Sequence, residues 1–188
     1  HADDNSDANR GIEGDGDGGD DAVNFGFSNP VVANMTVIGN DFDGEDDSEG
    51  LLLRDQTSAK LYNFVVTGSA GMGECLEFDH DDTVQGNLTD GDIVIATSVL
   101  ACDENFKGVA SDQTGLDAAG VEAWFLEDAR NNAVAADQAA VLSGIYTIDT
   151  SVTATDAATL GSFFTTTDFI GAVKDAQNDW TADWTVGL

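Results

Sequence analysis

Two acidic loops contain the residues whose types and spacing best suit metal chemistry. Residues 15–21 (DGDGGDD) and 40–47 (NDFDGEDD) place carboxylates at alternate positions around a glycine. A hard cation takes six to eight oxygen ligands, and a short D-x-D-G turn can bring several of them together. Neither loop has the Glu at the twelfth position that completes an EF-hand. We therefore expect a calcium ion as cofactor, and the alternative is a solvated acidic surface. The candidate ligands are Asp15, Asp17, Asp20, Asp41, Asp43 and Asp46.

The two cysteines are the second chemical feature. Cys75 opens one strand-like segment, and Cys102 closes the next. This placement could bring both side chains to one corner of a repeating coil. In an oxidising compartment, a bridge that closes such a loop would contribute about 3 kcal/mol. We favour a disulfide over two separately buried thiols.

Catalysis is the weaker interpretation of the polar residues. Arg54, Asp55 and Lys60 could supply the acidic and basic groups of a polysaccharide lyase. With six basic residues in the whole chain, however, a cleft for an acidic polysaccharide would be repulsive unless calcium bridged it. No serine lies in a G-x-S-x-G context. The sequence therefore predicts a protein that is not an enzyme.

Two features of the sequence could involve glycans. Asn87 begins an acceptor motif for glycosylation, Asn-Leu-Thr. Separately, the aromatic residues Trp124, Phe125, Trp180 and Trp184 could form a platform for a sugar ligand. We keep glycan binding as an alternative, because a packed core would bury most of these side chains.

The charge of the chain limits its partners and its surroundings. Thirty-six acidic residues face six basic ones, for a formal net charge of -30. This field disfavours binding to nucleic acids and to anionic membrane surfaces. Self-repulsion on this scale requires high salt, bound divalent ions or both. These conditions indicate a location outside the cytoplasm.

The elements that must position these residues repeat along the chain. Three segments rich in β-branched residues share one pattern, with Thr97 standing at the position of Asn34 and Asn63. The segments are VVANMTVIG (31–39), KLYNFVVTG (60–68) and DIVIATSVLAC (92–102).

A second series of strand-like segments alternates with the first. Its members are RGIEGD (10–15), EGLLLRD (49–55), ECLEFD (74–79) and, less regularly, VEAWFL (121–126). Two alternating strand types, with long intervals between equivalent segments, indicate a solenoid, whereas a β-sandwich would give strands about every 8–12 residues. In a solenoid each strand pairs in parallel with its equivalent about 4.8 Å away. We expect Leu51 to stack on Leu76, and Leu53 on Phe78, in the interior.

The repeat fades after residue 103. Residues 128–140 form a short helix or a loop in this interpretation, and residues 161–188 are rich in aromatic side chains. The last coil of a solenoid exposes apolar core and unpaired strand edges. We expect the aromatic segment to cover that end.

The segments quoted above, and the endings TDFIGA (167–172) and DWTADWT (179–185), resemble the C-terminal region of bacterial exported or cell-surface β-helix proteins. These are large surface proteins or lipoproteins. The resemblance implies a parallel β-helix, an extracellular or cell-surface location, and further coils before His1. It implies no catalytic residues.

Taken together, the sequence predicts an all-β fold, a right-handed parallel β-helix (solenoid) with a C-terminal aromatic capping segment. Residues 1–102 would form the coils, 103–160 an irregular final coil with insertions, and 161–188 the cap. An uncapped first coil must be covered by upstream coils of the same polypeptide or by other copies of the chain. We expect a structural module of a cell-surface scaffold or fibre, without membrane insertion.

Overall fold

The computed structural model describes residues 10–15, 28–39, 49–55, 57–68, 73–79, 88, 90–109, 115–148, 151–183 and 185. Within them the chain runs through successive coils, and each of the first three coils adds one strand to each of three parallel sheets. Sheet A contains β1 (Ile12–Gly14), β4 (Leu51–Leu53), β7 (Glu74–Phe78) and β10 (Glu104–Lys107). Sheet B contains β2 (Val31–Ala33), β5 (Lys60–Tyr62) and β8 (Val94–Ala96). Sheet C contains β3 (Thr36–Ile38), β6 (Val65–Thr67), β9 (Val99–Ala101) and β11 (Ala133–Val134).

Every strand pair within these three sheets is parallel, which confirms the predicted stacking. Leu51 lies opposite Leu76, and Leu53 opposite Phe78, as the aligned segments predict. These four side chains are fully buried in the main core. Like residues from successive coils therefore form columns through the interior.

The segments predicted as single long strands are pairs of short strands that belong to different sheets. A residue in the left-handed conformation separates the two strands of each pair: Asn34 (φ 60°), Asn63 (φ 60°) and Thr97 (φ 53°). The alignment of these three positions is confirmed, but their role is to turn the chain from sheet B to sheet C. Asparagine accepts the left-handed region more readily than most residues. The prediction of two alternating strand types was therefore wrong, because each coil has three strand positions.

The segment at 121–126, predicted as a strand, is helical. Helix α1 spans Ala118–Phe125, and the Asp117 carboxylate caps it by accepting a hydrogen bond from the Gly120 N–H (2.8 Å). The fourth strand of sheet A is β10 instead, which pairs with β7. The prediction failed because the apolar residues of this segment recur at the spacing of one helix face.

The sheets extend beyond residue 102, into the region expected to hold an irregular final coil. Asn131 repeats the left-handed corner (φ 52°), and β11 follows it in sheet C. The Thr97 N–H donates to the Arg130 carbonyl (2.9 Å), as the Asn63 N–H does to that of Ala96 (3.1 Å) in the coil before. In this fourth coil, α1 and a 3-10 turn (Asp128–Arg130) take the place of a sheet B strand.

The C-terminal segment lies along the side of the coils and not across their end. It docks on the stacked left-handed residues of successive coils, Asn34, Asn63, Thr97 and Asn131, which we call the corner column. The Asn131 amide donates to the Thr153 carbonyl (3.0 Å), and the Asn34 amide to that of Phe169 (2.7 Å). Its apolar residues pack on the outer face of sheet C, where they form a second core. That core contains Val65, Val99, Ala101, Val141, Leu142, Val152 and Ile170.

The described aromatic residues of this segment do not supply the covering that the sequence predicts. Phe163 is 90% exposed and Trp180 is 56% exposed. The remaining elements are short: α2 (Gln138–Val141), an antiparallel pair of β12 (Leu142–Ser143) and β13 (Tyr146–Thr147), and a 3-10 turn (Ala157–Leu160). Among the described residues, no helix combines the length and the hydrophobicity needed to cross a bilayer.

Candidate functional site

The outer face of sheet A carries the densest group of charges in the described part of the chain. Leu51 and Leu53 belong to the interior core, so the residues between inward positions point away from it. The register places Leu52, Glu77 and Lys107 in one outward column across three strands. The sheet therefore presents a rigid ladder on which charged side chains of successive coils meet.

Three glutamates converge on this face. Glu49 precedes β4, while Glu74 and Glu77 lie in β7, and one carboxylate oxygen of each lies within 4.8 Å of the others. The Glu49 side chain is fully buried, whereas those of Glu74 and Glu77 are 16% and 13% exposed. We call these three residues the glutamate cluster.

Two cations approach the glutamate cluster from neighbouring strands. The Arg10 Nε donates to the Glu49 Oε2 at 2.7 Å. The Lys107 Nζ lies 3.2 Å from the Glu77 Oε2, 3.9 Å from the Glu49 Oε1 and 4.0 Å from the Glu74 Oε2. The Glu49 Oε1 is buried and has no hydrogen-bond donor. Three carboxylates thus face two cations.

The crowding of carboxylates changes their proton affinity. Burial, together with the contact with Glu49, raises the pKa of Glu77 to about 7, although Lys107 acts in the opposite direction. Burial also raises the pKa of Glu74, and Lys107 partly offsets this effect. Two ionised carboxylates cannot hydrogen-bond to each other, so the contact favours a protonated Glu77. The glutamate cluster can therefore hold a proton close to neutral pH.

A second group of charges surrounds Arg54 at the other end of the strands. Its guanidinium lies 2.5 Å from the Glu13 carboxylate, 3.5 Å from that of Asp15, 3.6 Å from that of Asp55 and 3.8 Å from that of Asp79. These residues come from the ends of β1, β4 and β7. Arg54 is thus a counter-ion that joins three coils.

The comparisons with known proteins agree with this architecture. The sequence profile of the pectate-lyase-like β-helix domain matches residues 1–185, nearly the whole chain. The chain belongs to this family. No curated protein and no solved structure shows a significant match to it. The family match and the stacked parallel strands together identify a parallel β-helix.

The predicted calcium ligands fall mostly outside the part of this β-helix domain that the structure describes. Asp15 is described, and its carboxylate contacts Arg54. The others lie outside the described residues, as does the predicted glycosylation site. These are Asp17, Asp20, Asp41, Asp43, Asp46 and Asn87.

The disulfide of this β-helix domain joins the predicted cysteines. Cys75 and Cys102 are bonded, with their Cα atoms 5.7 Å apart. Both are buried in the main core. The bond links the start of β7 to the chain just after β9, so it closes the third coil on itself.

The residues considered for a lyase or for a sugar platform do not converge. Lys60 lies in sheet B, where its Nζ donates to the Asn29 side chain (2.5 Å), while Arg54 contacts carboxylates beside sheet A. Trp124 and Phe125 are buried in the main core. Trp180 is exposed, and Trp184 lies outside the described residues.

Sequence reasoning missed the glutamate cluster. Its signal was present, because Glu49 and Glu74 begin equivalent segments of the sheet A repeat, and Glu104 occupies the same position in β10. In a parallel stack, equivalent positions lie directly above one another. The calcium hypothesis was placed on the acidic loops because their carboxylates are close together in the sequence. The three glutamates become close only when the strands stack.

Proposed function

We propose that this β-helix domain is a non-enzymatic structural module of an extracellular, bacterial cell-surface scaffold, and that its first coil stacks on a further coil. One observation carries the proposal. Strands β1, β2 and β3 each pair with a strand on one side, and among the described residues none has a strand partner on the other. An unpaired parallel edge is a template for another strand.

The free side of this edge can be identified from the hydrogen bonds. The Ile12 N–H donates to the Gly50 carbonyl (3.0 Å), and the Gly14 carbonyl accepts from the Arg54 N–H (2.9 Å). Alternate residues of a parallel strand face the same neighbour, so the backbone groups of Glu13 point to the opposite side. In β3, the same reasoning directs the N–H of Ile38 to that side. These groups are available to a further coil.

The packing of the first coil agrees with an incomplete stack. Ile12, Val32 and Met35 are partly exposed, although they occupy interior positions. In the second coil, the equivalent Leu51 and Leu61 are 0% and 1% exposed. A further coil would bury the remaining apolar surface of the first coil, at about 25 cal/mol per Å².

The opposite end indicates which occupant fits best. There, α1 replaces the sheet B strand, and its Trp124 and Phe125 pack on Phe78 and Phe106 of the main core. A head-to-tail copy would meet a helix at one of the three sheet positions. This supports a further coil of the same polypeptide over a filament of repeating copies. A second copy that pairs its own first coil is the remaining alternative.

The surroundings that we propose follow from charge and oxidation state. A net charge of -30 is best tolerated in high salt or with bound calcium, and disulfides persist outside the cytoplasm.

Association through the edge can be tested with matched variants. Ile38→Pro removes one edge N–H, whereas Ile38→Thr keeps it and remains β-branched. In 1 M NaCl, where charge repulsion is screened, we expect the isolated chain to associate through its open coil. Analytical ultracentrifugation should show weaker association for Ile38→Pro than for Ile38→Thr. Equal association of the two variants would contradict an edge that is open to a further coil, and a strictly monomeric parent chain would exclude the second copy as its occupant.

Saccharide recognition is a second candidate function, because the family is named after pectate lyases and half of the basic residues, Arg10, Arg54 and Lys107, lie at the outer face of sheet A. A lyase would release unsaturated products from an anionic polysaccharide, and the reaction would require calcium and Arg54. Product absorbance measured with the parent chain and with Arg54→Ala tests this candidate. No turnover by the parent chain would contradict the lyase form of this candidate.

A further inference from the structure

We propose that a cavity between the β12–β13 hairpin and the C-terminal segment binds a primary ammonium group. The cavity has a volume of about 290 Å³, and its walls are Gly144–Tyr146 and five residues between Asp179 and Thr185. Cavities that enclose whole ligands run from about 300 to 1,000 Å³, so this one suits a single small group. The proposal is independent of the open edge, so either can fail without the other.

The first argument is the charge of the cavity. Its charged lining residues, Asp179 and Asp183, are both acidic. Hydrogen bonds from the Thr181 side chain and backbone lower the pKa of Asp179, so this carboxylate stays ionised at neutral pH. The net charge of -30 adds to the local field, which concentrates cations and repels anions. An anionic saccharide is therefore a poor ligand for this cavity.

The second argument is the direction of the hydroxyl groups. The Tyr146 hydroxyl donates to the Asp179 Oδ2 (3.1 Å), and the Thr181 hydroxyl donates to the Asp179 Oδ1 (2.5 Å). The Thr185 hydroxyl donates to the Thr181 carbonyl (2.9 Å). An ionised carboxylate and a carbonyl can only accept, so these directions are fixed. The three hydroxyl protons are thus engaged within the protein, and the hydroxyl oxygens offer lone pairs to a ligand.

An ammonium group fits this arrangement better than the alternatives do. It carries three N–H donors and no acceptor, whereas a sugar hydroxyl is a donor and an acceptor at once. The Tyr146 ring forms part of the wall, and the face of an aromatic ring attracts a cation within about 6 Å. In the described part of the chain, only the glutamate cluster brings three acidic ligand atoms together as a metal ion would require. The ligand class is therefore a primary amine, either a free small amine or a lysine side chain of a partner protein.

NMR titration of the isotope-labelled full chain with n-butylammonium tests this proposal. The amides of Tyr146 and Thr181 report binding, in about 0.15 M NaCl, where the Debye length is about 8 Å. Tetramethylammonium carries the same charge without an N–H donor, so it measures diffuse attraction to the acidic surface. Methyl glucoside is the neutral sugar probe.

Matched variants locate the binding site. Asp179→Asn and Asp183→Asn each remove one charge from the cavity, and asparagine accepts the left-handed conformation of Asp183 (φ 72°). Asp128→Asn removes the same charge from an exposed turn outside the cavity. If one cavity variant does not fold, the other provides the comparison.

We expect saturable shifts at both reporter amides, and an affinity for butylammonium at least about tenfold above that for tetramethylammonium, because hydrogen bonds to charged groups are strong. Each cavity variant should weaken binding at least about fivefold, whereas Asp128→Asn should stay within about twofold of the parent chain. Equal affinity for the two cations, equal effects of the three variants, tighter binding of methyl glucoside, or no saturable shift would each overturn the site.

Nα-acetyl-lysine methylamide distinguishes the two sources of the ammonium group. A site for lysine side chains should bind this probe about as tightly as butylammonium, because both present the same chain and head group. A site for free amines should bind it at least about fivefold more weakly, because its amide groups would meet the cavity walls.

Discussion

The two ends of the coil stack solve the same physical problem differently. At the last coil, α1 packs Val121, Trp124 and Phe125 on the main core, and these side chains are buried. At the first coil, Ile12 and Val32 occupy equivalent interior positions but remain partly exposed. A parallel stack has no intrinsic end, so each terminus needs an element that breaks the repeat. The difference shows that the described part of this chain terminates the stack at one end and leaves it open at the other.

The largest expected effect is a difference in the free energy of unfolding between core variants at the two ends of the stack. Phe125→Ala should lower the free energy of unfolding by about 3–5 kcal/mol, because it leaves a cavity under a covered end. Ile12→Ala should cost about 1 kcal/mol, because that side chain is already partly exposed. Urea denaturation measures both values. Equal costs would indicate that the first coil is covered as well as the last.

The disulfide tests whether the third coil depends on its covalent closure. Replacing both Cys75 and Cys102 with Ser should destabilise the domain by about 3 kcal/mol, since the loop between them becomes free in the unfolded chain. Thermal unfolding with and without a reductant measures the same quantity in the parent chain. An unchanged melting temperature under reduction would show that core packing alone fixes this coil.

The corner column tests how firmly the C-terminal segment holds the coils. Asn63 is buried in the left-handed conformation, and its side chain exchanges two hydrogen bonds with the Thr155 backbone (2.8 and 2.9 Å). Asn63→Ala should cost about 2–3 kcal/mol through strain and lost hydrogen bonds. Asn63→Gly relieves the strain and should recover about 1 kcal/mol of this loss. Recovery of the whole loss would show that the hydrogen bonds contribute nothing.

The smallest effect is the pH dependence of Glu77. Its pKa is about 7 in the folded domain, against 4.5 for an unperturbed glutamate, so the folded state binds the proton more tightly than the unfolded chain does. The stabilisation is therefore complete below about pH 4.5 and is lost as the pH rises through 7. In calcium-free buffer, the parent chain should lose stability between about pH 5 and 8 as Glu77 is deprotonated, whereas Glu77→Gln has no proton to lose there. The loss in the parent chain should therefore exceed that in the variant by on the order of 1 kcal/mol. Parallel pH profiles of the two proteins would contradict the raised pKa.

The sequence predicts the interior of the fold better than its ends or its surface. The gapless alignment of 31–39 with 60–68 places Asn34 on Asn63, and Leu51 on Leu76 follows from the second series. These predictions succeed because each coil repeats the constraints of the one before. The corner at Asn34 was missed because a left-handed residue inside a β-rich segment leaves no mark except the residue type itself.

Features that depend on several distant segments could not be derived. The side docking of the C-terminal segment requires hydrogen bonds between residues far apart in the chain, such as Asn34 and Phe169, which are 135 positions apart. The glutamate cluster likewise exists only once β4, β7 and β10 are stacked. Single residues of such sites look like any other surface charge in a chain with 36 acidic residues.

Hydrogen exchange at the first coil tests the open edge most directly. In the isolated chain at low concentration, the amides of Glu13 and Ile38 should exchange rapidly, because they face the free side. Those of Val65 and Val99, which donate to Met35 and Phe64, should be strongly protected. Addition of the further coil should slow exchange at Glu13 and Ile38. If these two amides are as protected as Val65 in the isolated chain, the first coil is already covered and the account is contradicted.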